Sequence, residues 1–546
     1  MKFKNLTAVA AILLVSFLFA AFIRDGDPFF EIKKQLTIFS DVYKEVATQY
    51  VDEVPPGLLM ESGINAMLEK LDPYTVFIDE GQQQQMEIFS TGGYGGIGLE
   101  AGYRGDQIVI IAPMEGYPAD RAGLLPGDII LKINDLQTSD LTPEEVQQLT
   151  VGDIGSEVTL TIRRPGLETE IDYTLQRERI DVKNVSFAER FGERKEFAYL
   201  QLSRFGQNSA EEVREQLISF NREQQLEGLI LDLRNNPGGL LNESVDIVDK
   251  FIEPGVTVVE TRGRHEAQNN VYATEETPLF EDLPLVVLIN NGSASASEIV
   301  SGAFQDLDRG VVVGEKSFGK GLVQIVKPLS YNTSIKITVS KYFIPSGRSI
   351  QAIDYSGSDY EKQNTAEENR YRSVFKTKNG RTVYDGKGIE PDIVIPKEKP
   401  SILETALMQR NHFFFFVNDY ISQNGSNEFN EGIFDEFIAY LQNQKFDYET
   451  EADRHLALLE ENLDLFSGAK EAEEHLNNLE EMLADKKKEN ISENRDNIYK
   501  MLELEWVTRK KGQVERQKLM LENDEAFRRA MNLLGNKEEY QTILKP

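Results

Sequence analysis

Between residues 29 and 90, apolar side chains recur at helical spacing: Ile32, Leu36, Phe39, Val42 and Val46, then Leu58, Ile64, Met67 and Leu68. Leu71-Asp72-Pro73-Tyr74 breaks the pattern, and Pro55-Pro56 marks a turn inside it. This predicts a small helical region whose stripe serves packing. From 91 to 178 the period shortens. β-rich runs are expected over Ile97–Glu100, Gln107–Ile111, Asp128–Ile133, Val158–Arg163 and Glu170–Leu175, with a short helix opening at Pro118 and a better one over Thr142–Leu149. From 182 to 395, strands over Phe197–Leu202, Gly228–Leu233, Leu285–Ile289, Val311–Gly314, Leu322–Val326 and Ser334–Phe343 alternate with helices over Ala210–Gln225 and Leu241–Phe251. That alternation predicts an α/β domain.

After Ser401 helical spacing dominates. Leu456, Leu459, Leu463 and Phe466 form one stripe, Leu476, Leu479 and Leu483 another, continued by Ile498, Leu502 and Trp506. Phe413 to Phe416 reads as core, with a subunit contact as the alternative. Lys486-Lys487-Lys488 reads as a solvated charge run.

At 546 residues the chain is too long for one core. Its formal charge of −32 argues against a nucleic-acid surface, because phosphates would be repelled. With no cysteine, thiolate nucleophiles, thiolate metal sites and disulfides are excluded. Of four histidines, only His265 lies in a loop from which it could serve a Ser-His-Asp triad, and a histidine metal cluster is a poor fit. No metal or cofactor is expected. The N-terminus pairs Lys2 and Lys4 with an apolar run from Leu6 to Ile23, long enough to approach a bilayer span. We read it as an uncleaved inner-membrane anchor rather than a removed signal peptide. With lysines inside, the rest of the chain would lie outside the cytoplasm, on the periplasmic side of the cell envelope.

The candidate chemistry begins where the apolar strand Pro284–Ile289 runs into Asn290-Asn291-Gly292-Ser293-Ala294-Ser295-Ala296-Ser297-Glu298. A strand-to-helix turn leaves backbone N–H groups unpaired and favours negative charge. Residue type cannot choose among Ser293, Ser295 and Ser297, and Ser297 with Glu298 resembles a helix cap. Capping is the bland reading for any of the three. Lys320, between Gly319 and Gly321, changes that balance. A lysine buried among apolar neighbours can lose its proton and act as a base. Alternation would point Lys320, Leu322 and Gln324 the same way. Lys316 is the rival, without flanking glycines, and a solvated surface lysine is the bland reading. Asn235-Asn236-Pro237-Gly238-Gly239-Leu240 ends another apolar strand. Its glycine N–H groups suit an oxyanion hole, although an ordinary strand–turn–helix joint would look the same.

Together these residues closely resemble the C-terminal processing peptidases, or tail-specific proteases. That family shows an SASASE-type segment, a G-K-G lysine with glutamine four later, and an N-P-G-G-L turn, in this order. The resemblance implies Ser295 as nucleophile, Lys320 as general base, Gln324 as its orienter, and the N–H groups of Gly238 and Ala296 as the oxyanion hole. Residues 91–178 resemble a PDZ domain. Gly95-Gly96-Ile97-Gly98-Leu99 is similar to its carboxylate-binding loop, and Pro118-Ala119 through Asp128 to a frequent PDZ signature. Gly96, Ile97, Gly98 and Leu99 would then bind a substrate tail by strand addition.

The resemblance implies a multidomain α/β chain with a crotonase/ClpP-like peptidase core. Its expected parts are an anchor over 1–28, a helical region over 29–90, a PDZ domain over 91–178, a serine peptidase core over 179–396 and a helical region over 397–546. Expected substrates are proteins with apolar, unstructured C-terminal tails, and analogy adds a homodimer or a docked adaptor. Two rivals remain: a catalytically silent PDZ scaffold binding protein C-termini, and a crotonase-type enzyme acting on acyl thioesters.

Overall fold

The structure is a computed structural model, and it describes residues 28–83, 92–355, 373–396, 399–424, 428–462 and 469–545. The anchor segment Leu6–Ile23 and the stripe positions Leu463 and Phe466 lie outside the described residues. The described residues divide into two compact units, residues 28–80 with 324–338 and 355, and the remainder.

In the first unit, α1 (Pro28–Gln49) and α2 (Pro56–Leu68) form as the spacing predicts, with Pro56 opening the second helix. Their stripe is not a packed one. Ile32, Leu36, Val42, Leu58 and Met67 are all exposed, so the expectation of a packing element fails for this face. Strand β1 (Val76–Ile78) pairs antiparallel with Ser334–Lys336. Asp72 organises the turn before it, accepting from Tyr74 N, Thr75 N and the Thr75 and Thr338 hydroxyls.

The second unit begins with β2 (Gly93–Gly96), β3 (Leu99–Arg104) and β4 (Gln107–Pro113), then α3 (Pro118–Arg121), β5 (Ile129–Ile133), α4 (Pro143–Thr150), β6 (Glu157–Arg163) and β7 (Ile171–Gln176). Strands β3 to β7 make one antiparallel sheet, and β8 (Glu178–Asp181) returns to pair with β2. The sheet closes over Ile97, Ile108, Ile110, Leu124, Ile130, Leu160 and Ile162. The first run sits slightly off its expected place: Ile97 and Gly98 fall between β2 and β3 rather than inside a strand.

Next comes a six-stranded sheet of β9 (Val185–Phe191), β10 (Phe197–Leu202), β11 (Gly228–Asp232), β12 (Leu285–Ile289), β13 (Val311–Gly314) and β14 (Ile393–Val394), in that spatial order. β9 and β10 are antiparallel and the rest are parallel. β11 and β12 read as unbroken apolar runs because both faces are covered. Leu229, Leu231, Val287 and Ile289 face α5 (Ser209–Glu223), α6 (Leu241–Asp249) and α7 (Ala296–Asp306) through Val213, Leu217, Val248, Val300 and Phe304. The alternate residues Ile230, Val286 and Leu288 pack with Phe527, Ala530, Leu533 and Tyr540 of the C-terminal helices.

Those helices include α8 (His412–Asn424), α9 (Arg495–Asn523), α10 (Glu525–Gly535) and α11 (Lys537–Ile543). Phe413 and Phe416 are core, as expected, while Phe414 packs on Val109 and Ile129 of the antiparallel sheet. The lysine run needs correction. Lys487 is largely buried, bridging Asp447 and Asp453, with its ammonium over the Tyr448 ring. Only its neighbours Lys486 and Lys488 are solvated.

Candidate active site

The parallel strands β11 and β12 end side by side, and each runs into a polar turn. The first turn holds Arg234 to Gly239. The second holds Asn290 to Ser295 and opens α7. Asn235 N donates to Asn290 Oδ1 at 2.8 Å, and Asn290 Nδ2 donates to Asn235 Oδ1 at 2.9 Å. Asn236 O accepts from Ala294 N at 3.0 Å and from Ser297 Oγ at 2.9 Å. These bonds lock the two turns into one surface.

They also separate the three serines. Ser293 Oγ donates to Leu233 O at 2.8 Å and accepts from Asn290 N at 3.0 Å, and it is fully buried. Ser297 Oγ is equally buried and spent on Asn236 O. Ser295 alone is half-buried. Its backbone sits at φ 55° and ψ −114°, a strained conformation for a residue with a side chain. Ser295, not Ser297, caps α7, so the next N–H, that of Ala296, is among the orphan donors at the helix start.

Gly238 lies against this point. A Cβ there would stand 2.8 Å from Ser295 Cβ and 2.9 Å from Ala296 N, at a φ of +99°, so no other residue fits. Its own N–H donates to Asn236 Oδ1 at 2.9 Å in this structure.

The lysine segment is tied to the same helix by one carboxylate. Glu298 is completely buried. Its Oε2 accepts from Ser295 N at 2.9 Å and from Lys320 N at 2.8 Å. Its Oε1 accepts from Ser317 Oγ at 2.6 Å and from Gly319 N at 2.7 Å. Burial pushes the carboxyl up to about 7, outweighing four donors that each favour the ionised form. Tyr342 makes a second bridge, donating to Ser295 O at 3.2 Å and contacting Lys320 O. Phe318 N adds a bond to Ser293 O at 3.0 Å. Lys320 is half-buried and its rival Lys316 is exposed. The strand starts only at Leu322, so Lys320 sits in the loop before it, and the expected alternation does not extend to it. In the first unit, Gln324 Nε2 donates to Thr338 Oγ1 at 3.1 Å, and that hydroxyl donates to Asp72 Oδ1 at 3.2 Å.

Reading the chain missed Glu298 as anything but helix-opening polarity. The spacing Ser295-x-x-Glu298 is a capping-box signal and could have found it. Tyr342 carried no local signal. His265 is exposed in its loop.

The antiparallel sheet carries a separate groove between β3 and α4, a cavity of about 430 Å³ lined by Ile97, Gly98, Leu99, Ala101, Val146 and Thr150 among others. Gly95 and Gly96 belong to β2 and pair with β8. Ile97 O and Gly98 O accept from Ala119 N and Met114 N, which fixes the loop at the groove mouth.

Comparison with known proteins bears on this arrangement. Residues 196–357 match "Peptidase family S41", residues 109–164 match "PDZ domain", and residues 403–534 match "Probable PDZ-protease, C-terminal helical domain". A "Carboxy-terminal-processing protease" of Bartonella bacilliformis is 37% identical over 323 residues, covering 59% of this chain and 73% of the relative. A "Probable CtpA-like serine protease" of Staphylococcus aureus is 31% identical, covering 64% of this chain and 68% of the relative. Among solved structures, a photosystem II D1 C-terminal processing protease is 25% identical, with a TM-score of 0.34, covering 68% of this chain and 95% of that one. A multidomain α/β chain with a PDZ domain and a serine at a helix start defines the class of protein. The chain belongs to peptidase family S41, with the carboxy-terminal-processing proteases, and is a serine-type peptidase.

Proposed function

We propose that this peptidase is exported and cleaves proteins near their carboxyl tails through an acyl-enzyme on Ser295. Ser295 Oγ attacks the scissile carbonyl while a neutral Lys320 amine takes the hydroxyl proton. The tetrahedral oxygen takes the N–H of Ala296, and that of Gly238 in place of Asn236 Oδ1. The C–N bond then breaks, and Lys320 returns the proton to the leaving amine. A water deprotonated by Lys320 attacks the ester, the bond from the carbonyl carbon to Ser295 Oγ breaks, and Lys320 passes that proton to Oγ as the new carboxyl end leaves. Gln324 orients the lysine, as the family resemblance implies.

The single observation that carries the reading is the fate of the three hydroxyls: Ser293 and Ser297 are committed to buried carbonyls, which leaves Ser295 at the helix start. The groove lined by Ile97, Gly98 and Leu99 fits an apolar protein tail added as a strand along β3, with Gly96 just outside it in β2. Export rests on Lys2, Lys4 and the Leu6–Ile23 run. Among the described residues, no helix is long and apolar enough to cross a membrane.

The test is an unfolded substrate offered with and without its apolar tail, to the protein and to Ser295→Ala. Tail-dependent cleavage that vanishes in Ser295→Ala is expected. Tail binding without cleavage by the unaltered protein would instead identify a silent scaffold.

A further inference from the structure

The geometry points to Asp524, in the C-terminal helices, as a positioning residue for the turn that carries Gly238. The inference rests on the peptidase reading above. Arg234 opens that turn. Its guanidinium forks onto Asp232, with Nε at 2.9 Å and Nη2 at 2.6 Å from Oδ2. Asp232 is fully buried and also accepts from Tyr199 Oη at 2.7 Å. The remaining arm, Nη1, reaches Asp524 Oδ2 at 2.5 Å. Asp524 Oδ1 meanwhile accepts from Phe527 N at 2.7 Å and caps α10. One carboxylate, 290 positions later in the chain, therefore joins the first residue of the turn to the start of a helix.

Packing cannot do this work on that side. A cavity of about 590 Å³, lined by Arg234, Asn235, Asn290, Gln517, Leu521 and Asp524 among others, lies at the carboxyl ends of the strands. Asn235 borders that cavity in a left-handed conformation, φ 58°, and Gly238 follows three residues on. The turn is thus fixed by directed bonds: Asp232 and Asp524 at its base, Asn290 at its middle, and Asn236 at its end. Loss of the Asp524 bond leaves Arg234 held by the Asp232 fork alone, and the base shifts toward the cavity. The Gly238 N–H then points less well at the oxygen it must stabilise, and a displacement of that kind lowers turnover without touching the tail groove.

Asp524→Asn is the mild probe. Asparagine still caps a helix, and the buried Asp232–Arg234 pair stays intact. The expected result is a fall in kcat of about tenfold to a hundredfold, with KM for a tailed substrate unchanged. Ser295 labelling by a fluorophosphonate slows in proportion, and Tm moves little. In an Arg234→Lys background, which lacks the planar fork, Asp524→Asn adds no further loss. Asp524→Ser, also a cap, is the second variant if the first folds poorly. Unchanged kcat overturns the inference. So does a loss that merely tracks Tm, or one of equal size in the Arg234→Lys background. If Ser295→Ala cleaves like the unaltered protein, the peptidase reading itself fails instead.

Discussion

The two faces of the core sheet are built from different parts of the chain. One face is covered by α5, α6 and α7, which connect the strands they cover. The other is covered by α10 and α11, and Tyr540 Oη bonds to Leu285 across 255 residues of sequence. The near face includes α7, the helix that Ser295 caps, so its side chains feed directly into the position of Ser295. The far face is mostly apolar bulk, with Asp524 at its edge bonded to Arg234. Chemistry is expected to concentrate on the near face and stability on the far one.

That division can be broken in four ways, taken in order of expected loss of turnover. Lys320→Arg keeps its charge at any accessible pH, and turnover of a tailed peptide should fall by about 10² to 10⁴. Retained activity would remove the lysine base. Glu298→Gln replaces two accepting oxygens with one, so the segments bearing Ser295 and Lys320 separate. A loss of about a hundredfold in kcat is expected, with tail affinity unchanged.

The same variant has a pH signature. The Glu298 carboxyl is raised from its ordinary 4.5 to about 7 in the folded state. Between those values the folded chain holds a proton that the unfolded chain has released, so stability falls as pH rises through that window. Thermal unfolding across that range should show a shallower slope in Glu298→Gln.

Gly98→Ala tests the tail groove. A methyl group there meets Tyr117 Cβ at 2.4 Å and sits at a φ of +67°. The left-handed backbone alone costs a side chain about 1 to 2 kcal/mol, so KM for tailed substrates should rise about tenfold or more. Turnover of short untailed peptides should hold. Leu533→Ala, in the far face, should leave kcat per folded molecule unchanged. It should lower stability by about 2 to 5 kcal/mol in a denaturant titration, since Leu533 is fully buried. A matching loss of kcat would mean that the far face shapes the site through more than Asp524.

Much of the architecture was legible along the chain. Phe197–Leu202, Leu285–Ile289 and Val311–Gly314 fall where the apolar runs place them, because a strand covered on both faces must be apolar throughout. The two polar turns were legible for the same local reason: each sits at the end of such a run. The choice among Ser293, Ser295 and Ser297 was open on residue type and came only with the family motif. Geometry separates them, since two of the hydroxyls are consumed by carbonyls at the end of the neighbouring strand and in the turn that follows it. The N-terminal stripe misled because period alone shows that a helix has an apolar face, and not what covers it. Lys487 misled because a run of like charges looks solvated until Asp447 and Asp453 are brought beside it.

The sequence by itself determined the order of helices and strands, the two glycine-bearing turns and the serine and lysine segments, since each depends on residues close together in the chain. Tertiary structure decided which serine hydroxyl is left uncommitted to a buried carbonyl, that Glu298 and Tyr342 join the serine to the lysine segment, and that Asp524 reaches Arg234. Those pairings bring together groups far apart in sequence. Such contacts follow from how layers pack, and no local spacing encodes them.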